Sequence, residues 1–249
     1  MNLQQKTCLV TGGTKGIGAA TAIALAEQGA HLALVARHLD DEAHQTHQRV
    51  ESLGRPCRLI AADLGRPAEA TGCVETAVRH FGAVDVVVHC AGGAVNGGLF
   101  ELTEEVWLAA FAVHVHAIFH LCRAAIPFMQ RKKEGAIILV SSSAGLRGLK
   151  TNVAYQTVKG ALPQLTRALA VEFANDNIRV NCVAPGITRT AFHAQMTPET
   201  RKNNLDNRVP LHREGTPEQV ASLIRELVTN DYITGETVSI DGGLTMRIC

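Results

Sequence analysis

Tyr155 and Lys159 are four residues apart in a segment, Asn152–Ala174, that reads as a long helix, so their side chains share one face. An ammonium beside a phenol favours the phenolate and draws its pKa down from about 10. That chemistry yields a proton donor or acceptor usable near neutrality. Ser141, Ser142 and Ser143 follow the strand-like run Ala136–Val140 and set a hydroxyl at the same edge of the fold. Y-x-x-x-K alone more often marks a packed tyrosine and a surface lysine, so the pair gains meaning only from its neighbours.

The second group with chemical promise is the glycine turn Thr11-Gly12-Gly13-Thr14-Lys15-Gly16-Ile17-Gly18, which follows a strand and opens a helix. Glycines let backbone approach a ligand closely, and a helix start offers unpaired N–H groups and partial positive charge to a pyrophosphate. Its spacing is G-x-x-x-G-x-G, which differs from G-x-G-x-x-G. An ordinary tight βα turn accounts for the glycines equally well. The end of the next strand, Leu34-Val35-Ala36-Arg37, adds to the case. A carboxylate there would meet ribose hydroxyls, but Ala36 occupies that place and Arg37 follows. Together with Lys15 this suits a 2′-phosphate, the alternative being that both are solvated surface cations. One hydrogen bond to a charged group, about 1.5–3 kcal/mol, would favour NADP over NAD roughly ten- to a hundredfold. Asp40 precedes a polar helix and reads as its N-cap; turned inward, Asp40 or Asp41 would oppose this reading. Asp63, just after the third strand, is either an acceptor for an adenine amino group or a turn-forming aspartate.

The elements that must position these residues alternate along the whole chain. Strands are expected at Cys8–Thr11, His31–Ala36, Arg58–Ala62, Val84–His89, Ala136–Val140, Arg179–Val183 and Glu236–Ile240. Helices are expected at Gly16–Gln28, Asp41–Leu53, Pro67–Phe81, Thr103 to about Gln130, Asn152–Ala174 and Pro217–Thr229. Strands apolar throughout and separated by helices indicate a parallel sheet buried on both faces. Right-handed crossovers then give an α/β fold, a doubly wound parallel sheet of about seven strands with helices on both faces. The polar stretch Ile187–Arg213 breaks this rhythm and belongs at the carboxyl edge as a lid.

Composition excludes several classes. The 249 residues fit one domain, 1–249, and 46% apolar residues supply a large core. Net charge is +1, with 24 basic against 23 acidic side chains, so the molecule as a whole has no pull toward nucleic acid or anionic membrane. The uninterrupted apolar runs are too short to span a bilayer, and the start, MNLQQKTCLVTGG, does not read as a secretory signal. Seven cysteines without a C-x-x-C pair indicate buried small hydrophobes in a reducing cytoplasm. His116 and His120 share a helix face, but no third ligand is signalled, so no metal is expected.

Together these residues resemble the short-chain dehydrogenase/reductase family over nearly the whole chain, Thr11 to about Gly243. The resemblance rests on T-G-x-x-x-G-x-G at 11–18, Asp63, Ala91-Gly92, Ser142 thirteen residues before Tyr155, Lys159, and Pro185-Gly186 with Thr190. Its basic residues are similar to those of the NADP-preferring members. It implies interconversion of a carbonyl and a secondary alcohol with NADP(H). Tyr155 would be the general acid in reduction, Lys159 would lower its pKa and hold the nicotinamide ribose, and Ser142 would bond the carbonyl oxygen. Cofactor contacts would come from Gly12, Thr14, Lys15, Gly16, Ile17, Gly18, Arg37, Asp63 and Leu64. Ala91, Gly92, Tyr155, Lys159, Pro185, Gly186, Ile187, Thr188 and Thr190 would complete them. The resemblance also implies a homotetramer, or else a homodimer, built through the two long helices, and the end Leu244–Cys249 would suit burial at a subunit contact.

Two positions depart from the family pattern. His89-Cys90 stands where Asn-Asn is common, and His114 stands where a helix asparagine anchors a proton relay. Imidazole accepts or donates and ordinarily titrates near neutrality, so His114 is either a substitute in the relay or a structural histidine. The missing asparagine motivates a competing reading, a dinucleotide-binding regulator or scaffold without turnover; the intact Ser142, Tyr155 and Lys159 argue against it. Gly93–Gly97, Ala144–Thr151 and the lid would wall the substrate site. Arg147, Lys150, Arg189 and His193 would either meet an anionic or polyhydroxylated substrate there or remain solvated. By motif the chain is similar both to 3-oxoacyl-carrier-protein reductases and to sugar or polyol dehydrogenases.

Overall fold

The computed structural model describes residues 1–194 and 196–246; Arg247, Ile248 and Cys249 of the expected subunit contact lie outside the described residues. Among the described residues, seven strands form one sheet in the order β3-β2-β1-β4-β5-β6-β7. They are β1 Thr7–Thr11, β2 His31–Ala36, β3 Cys57–Ala61, β4 Val86–His89, β5 Gly135–Val140, β6 Ile178–Pro185 and β7 Thr237–Ile240, and every pairing is parallel. The order reverses between β1 and β4, so the carboxyl ends of these two strands flank a crevice.

Alternation along each strand divides the core. In β1, Cys8 and Val10 face α1 (Gly16–Glu27), α2 (Asp41–Ser52) and α8 (Pro217–Thr229), whose Leu25, Val50 and Ile224 are buried against them. Leu9 faces α3 (Pro67–Phe81), α5 (Ala117–Lys132) and α6 (Val153–Phe173), with Val74, Leu121 and Leu162. Strands with an apolar layer on each side have no hydrophilic face, which is why they read as continuous apolar runs.

Caps fix where the helices begin. Asp40 caps α2 through Ala43 N at 3.1 Å, as expected of it. Thr103 caps α4 (Glu104–Phe111), and Thr216 with Gln219 forms a capping box on α8. The helix expected from Thr103 is one rod, Glu104–Lys132, interrupted at Ala112–His116 by a single wide π turn. By length and composition this rod could cross a membrane, with a mean hydropathy of 1.4 in its most apolar window. Histidines at 114, 116 and 120 break the run while the average stays apolar. In this fold the rod's Ile118, Leu121, Ala125 and Met129 are buried under the sheet.

The lid carries α7 (Pro198–Asn203) and a second π turn, Asn204–Arg208. Its neck is closed by Gly215 N to Ile187 O and Arg189 N to Gly215 O, both 2.9 Å. Glu214, nearly buried, pairs with Arg189 at 3.7 Å and Arg201 at 3.3 Å.

The guanidinium of Arg179, on β6, is buried and donates to Leu227 O at 2.6 Å and Val228 O at 2.5 Å. It thereby satisfies the orphan carbonyls at the end of α8. Arg179→Leu is expected to cost about 3 kcal/mol, from losing charged hydrogen bonds and orphaning buried acceptors. Urea denaturation of the variant checks this, and a loss below about 1 kcal/mol, the size of one ordinary hydrogen bond, would remove Arg179 from that role.

Candidate active site

The glycine turn, the ends of β2, β3, β4 and β5, the start of α6 and the lid enclose one open cleft of about 1790 Å³. Every residue expected to contact cofactor or to act in catalysis lines it. Arg147 and His193 line it too; Lys150 and Arg189 do not, and Arg189 instead faces Glu214. Leu244 and Thr245, expected at a subunit contact, also line the cleft.

At the glycine-turn side of the cleft the backbone has been pared down. Gly12 has φ +60°, and a Cβ there would lie 3.0 Å from the backbone of Ala91. A Cβ on Gly18 would lie 2.0 Å from Gly12 O. Behind this turn α1 begins at Gly16 with no side-chain cap and no acid in its first turn. Its first N–H groups and the positive end of its dipole face the cleft, a cradle suited to a pyrophosphate. Lys15 pairs with Asp40 and Glu42 at 2.6 Å each, whereas Arg37 is exposed. Asp63 Oδ1 accepts from Gly65 N at 3.0 Å, so the aspartate forms a turn while also facing the cleft.

At the opposite side Ser142 and Tyr155 are hydrogen-bonded through their side chains. Lys159 is buried, and its ammonium donates to Val140 O at 2.7 Å. Nζ lies 5.8 Å from the centre of the Tyr155 ring. Burial pulls the Lys159 pKa down to about 8. The Tyr155 phenol is pushed up by burial and pulled back only in part by Ser142. This reverses the expected direction: the pocket that shields the ring destabilises phenolate, and the ammonium is directed at a backbone carbonyl instead.

The two unusual histidines form a reciprocal tie. His89 Nε2 bonds Val113 O and His114 Nε2 bonds Gly93 O, each at 3.2 Å. Carbonyls only accept, so both rings carry their proton on Nε2. The His89 Nδ1 then accepts from Thr11 Oγ1 at 2.9 Å, and the same hydroxyl accepts from Ala91 N at 3.3 Å. Among the described residues, His114 Nδ1 is buried without a hydrogen-bond partner. Burial, then the charge of Lys159, holds both pKa values to about 3. His114 is therefore neutral, against the expectation of titration near neutrality. Its ring meets Tyr155 edge to face at 6.0 Å. His89 was legible only as a departure, and the carbonyls it and Lys159 use had no signal in the sequence. Phe192, 5.9 Å from the Tyr155 ring, was not foreseen either.

Residues 12–245 match the family described as enoyl-(acyl carrier protein) reductase. A 3-oxoacyl-(acyl-carrier-protein) reductase of Thermotoga maritima is 33% identical over 250 residues, 99% of this chain and 100% of the relative. The human dehydrogenase/reductase SDR family member 4 is 34% identical, covering 99% of this chain and 90% of the relative. The chain belongs to the short-chain dehydrogenase/reductase family. Among solved structures, L-sorbose reductase from Gluconobacter frateurii, complexed with NADPH and L-sorbose, superposes with a TM-score of 0.90 at 29% identity, covering 100% of both chains. Acetoin dehydrogenase from Enterobacter cloacae gives 0.89 at 31%, covering 99% of this chain and 98% of that one. The protein is thus a carbonyl–alcohol oxidoreductase of a family that uses nicotinamide dinucleotides and small-molecule substrates.

Gly92 has φ +137°, and a Cβ there would fall 2.1 Å from His114 Cε1. Gly92→Ala is expected to lose about 2 kcal/mol or more through overpacking, and combining it with His114→Ala should recover part of the loss. Thermal melts of the three variants check this; full additivity would mean that ring and glycine are not in contact.

Proposed function

We propose that the protein is an NADP(H)-dependent reductase of ketones or 3-oxoacyl compounds, folded as one domain, with Tyr155 as its general acid. The observation that carries this is the union, in one cleft, of a hydrogen-bonded Ser142–Tyr155 pair, a buried Lys159 and an uncapped glycine-turn helix.

A bound nicotinamide dinucleotide supplies the hydride. Ser142 Oγ and Tyr155 Oη both donate to the carbonyl oxygen of the substrate. As that oxygen gains negative charge, Ser142 stabilises it and Tyr155 gives up its proton. The raised pKa of Tyr155 keeps that proton in place until then. The phenolate left behind is stabilised by the Lys159 ammonium, whose attraction is stronger in this enclosed medium than in water. Val140 O takes one of the three Lys159 donors, leaving two for the nicotinamide ribose. Gly12, Gly16, Ile17 and Gly18 would cradle the pyrophosphate, and Lys15 and Arg37 would meet the 2′-phosphate. Asp63, Leu64, Ala91 and Gly92 would flank the adenosine. Pro185 to Thr188, with Thr190, would flank the nicotinamide. We assign His114 to the relay position as a fixed neutral acceptor, an assignment supported by its unpartnered Nδ1.

The described cysteines are free, which supports a cytoplasmic setting. Leu108 and Phe119 on the long rod and Val171 on α6 are exposed apolar side chains, which supports assembly of a homotetramer through these helices.

Tyr155→Phe is expected to lower kcat for NADPH oxidation with ketones or 3-oxo esters by at least ~100-fold, the usual worth of a positioned acid, while NADPH binding persists. Tight NADPH binding by the wild type without turnover of any carbonyl would instead favour a dinucleotide-binding regulator.

Reductive kcat is expected to fall as pH rises through about 8, where Lys159 loses its charge. Stability should move the other way. Between about 8 and the ordinary 10.5 the unfolded chain binds the extra proton, so the penalty of burying Lys159 is relieved as pH rises. A pH–rate profile taken beside urea melts separates the two effects, and a kcat flat to pH 10, about two units above that pKa, removes the charged Lys159 from the mechanism.

A further inference from the structure

Lys15 is the one cation inside the glycine turn, and it is already engaged. Its ammonium lies 2.6 Å from Asp40 Oδ2 and 2.6 Å from Glu42 Oε2. The two carboxylates are not equivalent. Asp40 uses its other oxygen, Oδ1, to cap α2 through Ala43 N at 3.1 Å, so it cannot swing toward the cleft without uncapping that helix. Glu42, in the first turn of α2, is 59% exposed at its side chain and can rotate into solvent. At this edge of the cleft the Lys15 ammonium is thus already shared by two carboxylates, so an arriving phosphate must compete for it. The carboxylates also raise the Lys15 pKa, which keeps it charged.

We propose that Glu42 is a specificity-determining residue of this enzyme: it occupies Lys15 in competition with the cofactor 2′-phosphate and so narrows the preference for NADPH over NADH. The proposal rests on the NADP reading above. A 2′-phosphate must take Lys15 from Glu42, while a ribose with a free hydroxyl leaves the triad as it stands. Asp40, fixed by its cap, keeps Lys15 oriented in both cases. The resulting discrimination is lower than the two cations alone would give.

The test is fluorescence titration of the full chain with NADPH and with NADH, for wild type, Glu42→Gln, Lys15→Met and the double variant. Exposed ion pairs contribute up to about 1 kcal/mol, so Glu42→Gln is expected to tighten NADPH roughly two- to fivefold. NADH should be unaffected, and the gain should vanish on the Lys15→Met background. A Glu42→Gln variant without an NADPH-specific gain overturns the proposal. So does an equal gain on the Lys15→Met background, which would mark a general field effect. Arg37→Asp probes the underlying reading separately. If it weakens NADPH far more than NADH while Glu42→Gln changes nothing, only the competition is wrong. If it weakens both equally, the 2′-phosphate assignment fails and the proposal with it. Asp40→Asn retains an acceptor for the cap; weakened NADH binding there would place Asp40 on the ribose hydroxyls and overturn both.

Discussion

An ammonium withdrawn from water must be given an oxygen, and Lys159 has the carbonyl of Val140, the last residue of β5. Much of the site follows from that bond. It pins the first two turns of α6 against the sheet edge and so sets where Tyr155, one turn earlier, can stand. Ser141 reinforces the same junction by donating to Lys159 O at 2.7 Å. A Cβ on Gly145 would lie 2.6 Å from the Lys159 backbone, so the loop bearing Ser142 is held against α6 by close backbone contact. Strand end, serine loop and helix therefore behave as one body, and the Ser142 and Tyr155 side chains are held in position by the fold itself.

The burial that positions these groups also sets their proton affinities. It lowers Lys159 into the accessible range, raises Tyr155, and leaves His89 and His114 as neutral rings. A neutral histidine with a fixed tautomer serves as a directional strut. Two such struts join the loop after β4 to the π turn of the long rod, one in each direction. An asparagine pair could make similar bonds with shorter reach, but a ring fills more volume, which explains why Gly92 has no room for a side chain.

Much of this was legible in the sequence because it is locally encoded. Apolar runs of strand length, the glycine spacing, the cap at Asp40 and the four-residue interval from Tyr155 to Lys159 are all short-range patterns, and each maps onto the element expected. What stayed hidden depends on residues distant in sequence. The carbonyls of Val140, Val113 and Gly93 are backbone groups that any side chain would provide. The direction of the Tyr155 shift depends on what encloses the ring. The apolar length of the rod Glu104–Lys132 was missed because histidines interrupt it, and nothing in Ala112–His116 announces a change of helical pitch.

That change of pitch lets one rod meet two demands. A π turn inserts a residue into the helix and advances everything beyond it by roughly a third of a rotation. Before it, Val106, Ala109 and Ala110 look into the cleft; after it, Ile118, Leu121 and Ala125 look under the sheet. A regular helix of the same sequence would serve one of these surfaces and rotate the other out of phase. The wide turn thus acts as a phase shifter between ligand cavity and core, and a lineage that lost one residue there would have to redraw one of those two faces.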